Sequence, residues 1–501
     1  MSNQLNFGTA GIRTTMGPNN NELNEYTVAN FAYNFGKFDE MNTIVIGYDT
    51  RHNSKNFAYI IMNILKHDPF NYNIIISHEP IPTPILSFAT KYYNGDYGIM
   101  ITASHNPKEF NGIKVYDHRG IQLLPNVTKK LSNLQNNKNN NNNNINYNNE
   151  NNNNINYNNE NNNINYISDD CYNEYILQVE KLVGSLNKSK ENILISSFHG
   201  TSEKLLTILL QHLGFNNQYW DESTSRQSGD FQNVITPNPE DERAFDTLIK
   251  EAEKIDASLI IGTDPDADRI GFIECYDDGS YKFFTGNEIG LILLYLRYQE
   301  LSSKDRENRV VITSNVVSEM ISKLCINLNI QHIKTPVGFK FIANEINHLS
   351  DQDLLLAFEE SHGYLFDNIV GDKDALQTAV IIIKYKSQLT KNGLTFKDIL
   401  DDLKSQIGEY QDKTLSIKQS KDEIKSFMDN CLSYTSQKIC NQDILSINHD
   451  KDQNTIKFNL SNGFVIVRPS GTEPRIKVYF SLNINNIGEF INNFLNIMQL
   501  K

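Results

Sequence analysis

"DASLIIGTDPDADRIGFIE", residues 256–274, is the stretch on which the fold turns. It reads as an apolar strand, "ASLII", whose carboxyl end opens into the loop "GTDPDADR" before a second strand begins. In α/β sheets that end of a strand is where ligands bind. Asp264, Asp266 and Asp268 occupy alternate positions in the loop. Three carboxylates so close repel one another unless a hard cation stands among them, and oxygen donors select Mg²⁺ or Ca²⁺. A calcium-binding EF-hand loop starts the same way, but it requires Gly where Arg269 stands and a bidentate Glu where Cys275 stands, so that reading fails. A merely solvated acidic turn is the plain alternative, and Pro265 and the strand that follows speak against it.

Short apolar runs alternate with amphipathic stretches on both sides of this segment. "NTIVIGYDTR" (42–51), "NIIISHE" (73–79) and "YGIMITASH" (97–105) read as strands, and "SKNFAYIIMNILKH" (54–67) spaces its apolar residues as a helix does. Strand, helix, strand in succession implies a parallel sheet with covering helices. The pattern restarts at "NILISSFHGTSEKLLTILLQHLGF" (192–215), and again at "RVVITSNVVSEMISKLCINLNIQHIKTP" (309–336) and "DLLLAFEESHGY" (353–364). Three rounds predict three domains of related α/β architecture. The last hundred residues differ: "TIKFNLSNGFVIVRPSGTEPRIKVYFSL" (455–482) alternates like antiparallel strands and "NIGEFINNFLNIMQL" closes as a helix, a smaller α+β domain. Residues 136–166, almost pure Asn with isolated Ile and Tyr, cannot bury enough apolar surface to offset their ordering entropy and read as a disordered surface insertion.

The totals narrow the function classes. A chain of 501 residues exceeds one hydrophobic core. The net charge is −14 with no run of Lys and Arg, so neither nucleic acid nor an anionic membrane is an expected partner. A small phosphorylated substrate needs only a local basic pocket. Five scattered cysteines, Cys171, Cys275, Cys325, Cys431 and Cys440, show no CxxC spacing and read as reduced thiols. The amino terminus lacks a basic region followed by an apolar stretch, and the expected location is the cytoplasm.

"GIMITASHNPKEFNG" (98–112) ends an apolar run in a small-residue turn carrying Ser104, His105 and Asn106 before Pro107. One reading is a strand followed by a helix start, since Ser and Asn cap helices and Pro suits a first turn. The other is a serine held out at a strand end so that its hydroxyl can react. "VIVRPSGTEPRIKVYF" (465–480) sets Arg468, Ser470, Gly471, Thr472 and Arg475 in a loop between two strands. Hydroxyls, a glycine admitting backbone N–H groups and arginine forks form a phosphate clamp; an ordinary hairpin turn is the alternative. "FEESHGY" (358–364) puts Glu359, Glu360, Ser361 and His362 beyond an apolar strand, suited to sugar hydroxyls or to a helix cap. Lys373 in "GDKDA" is a cation for a substrate phosphate, and the Gly-containing loops "GTAGIR" and "TPVGFKF" carry Arg13 and Lys340. No GxxxxGK[ST] is present, which excludes a P-loop nucleotide enzyme.

"TASHNP", "DPDADR", "EESHG" and "RPSGTEP", in this order, resemble the α-D-phosphohexomutase superfamily, in particular its phosphoglucomutase members. With "GTAGIR" and "GFKF" the chain is similar to the branch containing phosphoglucomutase-2, phosphopentomutase and related bacterial phosphoglucomutases. The resemblance covers the chain apart from the Asn tract. It implies a four-domain architecture of three related α/β domains and a C-terminal α+β domain around a central cleft, with boundaries expected at 1–170, 171–285, 286–405 and 406–501. It further implies that Ser104 carries a phosphoryl group with His105 and Asn106 beside it, and that one Mg²⁺ per subunit is held by Asp264, Asp266, Asp268 and an oxygen of that phosphate. Lys114, with His105 and Arg13, is implied in proton transfer. Arg269, Thr335, Gly338, Lys340, Glu359, Ser361 and Lys373 are implied in substrate binding, and Arg468, Ser470, Gly471, Thr472 and Arg475 in holding the phosphate that is not reacting.

The implied activity interconverts glucose 1-phosphate and glucose 6-phosphate, with glucose 1,6-bisphosphate as intermediate and activator. Phosphomannomutase, phosphopentomutase or glucose 1,6-bisphosphate synthase activity is the alternative within the class, and retention of Ser361 favours a hexose. A catalytically dead paralogue that binds a sugar bisphosphate as a scaffold would have lost Ser104 or an aspartate, and all four residues are present. The expected partners are small sugar phosphates, and the expected assembly is a monomer or homodimer.

Overall fold

Runs such as "TIVIGY" are apolar at consecutive positions because both faces of their sheet are covered. The computed structural model describes Leu5 and residues 11–136, 164–184, 186, 191–349, 354–470 and 475–499. The chain forms two compact units. The first comprises residues 1–284, 343–348 and 361–388, and the second residues 285–342, 349–360 and 389–501.

The first unit contains two mixed sheets. In one, the strands Tyr97–Ile101, Thr43–Tyr48 and Asn73–Ile76 run parallel. Phe110–Asp117 joins Tyr97–Ile101 antiparallel, and Ile12–Thr15 joins Phe110–Asp117 antiparallel. In the other, Asn192–Ser196 pairs in parallel with Gln218–Trp220 and Ala257–Thr263, and Ile270–Cys275 and Tyr281–Phe283 continue it antiparallel. Ile44, Ile46, Ile99 and Ile101 belong to one core with Phe57, Ile60, Ile61 and Leu65 of the helix Ser54–Lys66. Each such side chain contributes roughly 1.5–3 kcal/mol on burial. The helix Glu25–Gly36 starts at a reciprocal cap between Asn24 and Thr27, which satisfies two otherwise unpaired backbone N–H groups.

The Asn-rich tract needs a correction at its edges. Asn136 ends the helix Pro125–Asn136, and Asn165–Tyr166 pairs in parallel with Asn73–Ile76. Ile164 packs on the core and Asn165 Nδ2 donates to Asn73 Oδ1 at 2.9 Å, so these residues have the contacts that the tract's composition denies it. Residues 137–163 lie outside the described residues.

The second unit holds the parallel strands Gln331–Thr335, Val310–Ser314 and Leu354–Glu359. It also holds an antiparallel sheet ordered Gln411–Lys418, Arg475–Leu482, Gly463–Pro469, Thr455–Leu460, Gln442–Asp450 and Lys438–Ile439. Strand alternation sorts the side chains. Val465, Val467, Val478 and Phe480 meet Phe427, Phe490 and Phe494 of the helices Lys421–Leu432 and Ile487–Ile497. Phe464, Ile466 and Tyr479 point to the opposite face, onto Val316 and Val337. Among the described residues, no helix is long and apolar enough to cross a membrane.

Candidate functional site

The acidic loop folds around its own first carboxylate. Asp264 Oδ1 accepts the backbone N–H groups of Asp268 at 3.1 Å and Arg269 at 2.9 Å. Ala267 takes φ +54°, the bend that brings the alternate aspartates to one side. All three are buried, and one oxygen from each lies within 4.8 Å of the others. Asp266 Oδ2 accepts from Lys114 Nζ at 2.7 Å and from Thr83 Oγ1 at 2.8 Å. Asp268 Oδ2 accepts from Lys114 Nζ at 2.8 Å and lies 3.3 Å from Lys373 Nζ. Burial, and then the charges of Asp266 and Asp268, push the Asp264 carboxyl well above its ordinary range. For Asp268 burial acts upward too, but Lys114, Lys373 and Arg269 together hold it well below.

These residues fit a hard divalent cation. Asp266 Oδ1 and Asp268 Oδ1 are buried and have no hydrogen-bond partner among the described residues. Two such oxygens, beside a third carboxylate, form the donor set that Mg²⁺ or Ca²⁺ takes.

Ser104 stands against this loop. The strand Tyr97–Ile101 ends, a turn follows, and the chain enters another strand at Phe110, so the helix start considered above does not occur. Ser104 takes φ +53°, and its Oγ donates to Asp264 Oδ2 at 2.6 Å. His105 Nδ1 lies 3.3 Å from the same hydroxyl, and burial, reinforced by Arg269 and Arg13, drives that imidazole well below its ordinary value. Arg13 Nη1 donates to Asn106 Oδ1 at 3.4 Å. The antiparallel strand Phe110–Asp117 presents Lys114 to the aspartates and, two residues on, Tyr116 to Asp372 Oδ2 at 2.9 Å. Asp372 Oδ1 in turn accepts from Lys373 Nζ at 2.8 Å. Arg269 pairs with Glu240.

A second cationic cluster lies within the other unit. Lys340 sits in the first turn of the helix Phe339–Ile346, close enough to Arg468 and Glu359 to feel both charges. Burial, then Arg468, lowers its ammonium to about 8, against the opposing pull of Glu359. Glu359 Oε1 accepts the Gly338 N–H at 2.9 Å, and Glu360 Oε2 accepts from Ser314 Oγ at 2.8 Å. Arg468 follows Phe464 and Ile466 on one face of its strand, where its charge is felt by Tyr479. Thr335 Oγ1 donates to Thr313 O at 3.3 Å. Ser470 N donates to Arg475 O at 2.8 Å, closing the hairpin, while Arg475 Nη1 donates to Ser416 Oγ at 3.4 Å. Gly471 and Thr472 lie outside the described residues.

The structure thus brings Arg13, Ser104, His105, Lys114, the three aspartates, Arg269 and Lys373 together in the first unit. It brings Gly338, Lys340, Glu359 and Arg468 together in the second. Ser361 belongs to the first unit and Glu359 to the second, so "EES" is divided between them. Sequence reasoning passed over Thr83, Asp372, Asp49 and Arg51. Asp49 and Arg51 follow the strand Thr43–Tyr48 directly, at the strand end where ligand-binding residues collect, and that position was the available signal.

The chain is similar to known proteins along nearly its whole length. Residues 4–162, 170–276 and 285–406 match the phosphoglucomutase/phosphomannomutase α/β/α domains I, II and III, and residues 418–481 match the C-terminal domain. A phosphoglucomutase of Staphylococcus saprophyticus is 40% identical over 98% of this chain and 92% of its own length. One of Staphylococcus epidermidis is 36% identical over 97% and 92%. In fold, a phosphoglucomutase/phosphomannomutase family protein of Burkholderia thailandensis superposes with a TM-score of 0.75 at 15% identity, covering 98% of this chain and 96% of that one. Parafusin of Paramecium gives 0.67 at 18%, covering 99% and 94%.

Proposed function

Since the chain belongs to the phosphoglucomutase/phosphomannomutase family of the α-D-phosphohexomutase superfamily, with its four domains in order, we propose that it interconverts glucose 1-phosphate and glucose 6-phosphate through a phosphoserine at Ser104. The observation that carries this reading is the Ser104 hydroxyl, turned out by a left-handed residue and lying 2.6 Å from the first of three clustered carboxylates. A serine placed so can carry a phosphoryl group while staying against the acidic loop.

In the forward half-reaction the P–O bond to Ser104 Oγ breaks as a bond forms to the free hydroxyl of the sugar monophosphate. The hydroxyl proton passes to the protein, Ser104 Oγ gains a proton as its P–O bond breaks, and the product is glucose 1,6-bisphosphate. The return half-reaction moves the other phosphoryl group back to Ser104, so atoms and charge balance over the cycle. His105, 3.3 Å from the hydroxyl, and Lys114 and Arg13 are the groups assigned to proton movement. Asp264, Asp266 and Asp268 would hold Mg²⁺, which supplies charge neutralisation at the phosphoryl group when bound. Lys373, on Asp268, and Arg269 add fixed positive charge on the same side. Lys340 and Arg468, with the loop that includes Ser470, are assigned to the phosphate that is not reacting, and Glu359 to sugar hydroxyls.

A coupled assay over glucose 1-phosphate, mannose 1-phosphate and ribose 1-phosphate tests the reading. Intact-mass analysis should accompany it, with one phosphoryl group expected and mapped to Ser104. Turnover highest on glucose 1-phosphate supports it. A protein without phosphoserine, or one that turns over only the pentose, overturns it.

A further inference from the structure

Asp49 and Arg51 are buried charges directly behind the nucleophile loop, 1% and 3% exposed. The chain curls around the Arg51 guanidinium. Nη2 donates to the carbonyl oxygens of Ser104 and Asn106, and Nη1 to those of Pro107 at 2.8 Å and Phe110 at 3.1 Å. One cation therefore gathers three backbone carbonyls of the turn that carries Ser104 and the first carbonyl of the strand that follows. Phe231 covers the guanidinium, its ring centroid 4.8 Å from the central carbon. Asp49 sets the fork: Oδ2 lies 3.4 Å from Arg51 Nε, while Oδ1 accepts the Arg51 N–H at 2.9 Å and the Ser54 hydroxyl at 2.6 Å.

The other side of Ser104 is held close to the same pair. Its N–H donates to Thr102 Oγ1 at 2.8 Å, and the Thr102 hydroxyl lies near enough to the Asp49 carboxylate to stabilise its charge. Both peptide groups flanking the Ser104 Cα are thus held, the carbonyl by Arg51 and the N–H by the Thr102 hydroxyl beside Asp49. A non-glycine residue at φ +53° holds that conformation only when its surroundings over-determine it. The conformation decides where Oγ points. Only a guanidinium has donors in a rigid planar fork wide enough for this task, because an ammonium offers three donors from a single atom.

We infer that Arg51, oriented by Asp49, is a positioning residue for the nucleophile, fixing the direction of Ser104 Oγ through the serine's own peptide groups. The inference rests on Ser104 being the phosphoryl carrier. Misplacement of a reacting atom by about 1 Å costs on the order of 100-fold in rate with little change in binding. Arg51→Lys keeps the charge and removes the fork, so kcat should fall by roughly 100-fold while KM for glucose 1-phosphate and the Mg²⁺ requirement stay within a few-fold of wild type. A folded Arg51→Lys enzyme with near-normal kcat, or one whose loss lies in KM, overturns the inference. Thr102→Val, which releases only the N–H side, should show the same kcat-specific loss and stands in if Arg51→Lys does not fold; near-normal kcat there overturns it equally. If neither variant yields folded enzyme, the pair serves folding and the inference falls. Wild-type enzyme measured in parallel separates the two levels. Absence of phosphoserine and of mutase turnover in wild type refutes the functional reading, whereas active wild type beside an equally active Arg51→Lys refutes only the positioning role.

Discussion

Gly200 is pressed against the backbone of Pro265: a Cβ at residue 200 would stand 2.4 Å from Pro265 Cα and 2.5 Å from its carbonyl oxygen. The adjacent Thr201 donates both its N–H and its hydroxyl to that same oxygen, each at 3.0 Å. Pro265 lies between Asp264 and Asp266, so the loop after the strand Asn192–Ser196 is the seat of the acidic loop. Gly200→Ala cannot be relieved by rotating a side chain, because the colliding atoms are main chain. It should shift the aspartates without altering any of them and destabilise by about 1–3 kcal/mol, the usual cost of overpacking. The Mg²⁺ concentration for half-maximal turnover should rise, with part of the activity restored by excess metal. Calorimetric metal titration and thermal melting check this, and unchanged metal affinity would show that Gly200 does not seat the loop.

Ser104→Ala removes the hydroxyl 2.6 Å from Asp264 while leaving the fold of its turn to Arg51 and Thr102. Turnover should fall by several orders of magnitude, as losing a covalent step implies. Intact mass should show one phosphoryl group on wild type and none on the variant. Near-normal turnover of the variant in the presence of bisphosphate would remove Ser104 from the mechanism.

What could be read from the chain and what could not have different physical origins. The aspartates of "DPDADR" are three groups whose spacing alone raises an electrostatic problem, and their burial within 4.8 Å of one another is that problem in space. Strands such as Thr43–Tyr48 and Ala257–Thr263 were legible because burial on both faces demands consecutive apolar residues. The strand end marked the position of Arg51 but not its task, because the four groups that it gathers are backbone carbonyls, which every residue possesses. Thr83 reaches Asp266 over 183 positions of sequence and Asp372 reaches Tyr116 over 256, and no local pattern encodes contacts that distant. At the edges of the Asn tract composition misled, since Asn165 found a strand partner that Asn-rich sequence does not itself suggest.

Lys340 gives a pH signature. Its ammonium is lowered to about 8 by burial and by Arg468, so it loses its proton as pH rises through 8. A substrate phosphate, whose second pKa is about 6, is already dianionic there and binds the protonated form. KM for glucose 1-phosphate should be flat near pH 7, where the phosphate is already dianionic and Lys340 still protonated, and then rise, approaching tenfold per pH unit above 8. Bound phosphate favours the ammonium, so binding at pH 8.5, on the deprotonated side of about 8, should take up protons, measurable by calorimetry in buffers of different ionisation enthalpy. For stability the sign is opposite to that of a paired lysine. The folded state disfavours the charge, so the penalty is full below about 8 and is relieved as pH rises toward the ordinary lysine value. Lys340→Met should raise KM at pH 7 and abolish the inflection. A wild-type KM that does not move between pH 7 and 9.5 would detach Lys340 from the phosphate.

Arg468 tests the bisphosphate cycle from its other end. It follows Phe464 and Ile466 along a strand whose buried face fixes its direction, and it shares its surroundings with Lys340 and Tyr479. Each half-reaction engages one phosphate at Ser104 and leaves the other to be held elsewhere. Arg468→Ala removes a charge-assisted, bidentate-capable fork, so KM for the monophosphate should rise by one to two orders of magnitude, about 1.5–3 kcal/mol. The bisphosphate, held mainly by its reacting end, should escape before it turns over. Turnover should then depend more strongly on added glucose 1,6-bisphosphate, while Ser104 still becomes phosphorylated. Arg468→Lys should recover only part of the loss, having charge without the fork. Removing Arg468 should also relieve its repulsion of Lys340, moving the rise in KM to higher pH, a shift that a general loss of folding would not produce. Normal substrate affinity together with normal bisphosphate dependence in Arg468→Ala would place the non-reacting phosphate away from this strand and return the clamp reading of "RPSGTEP" to an ordinary hairpin turn.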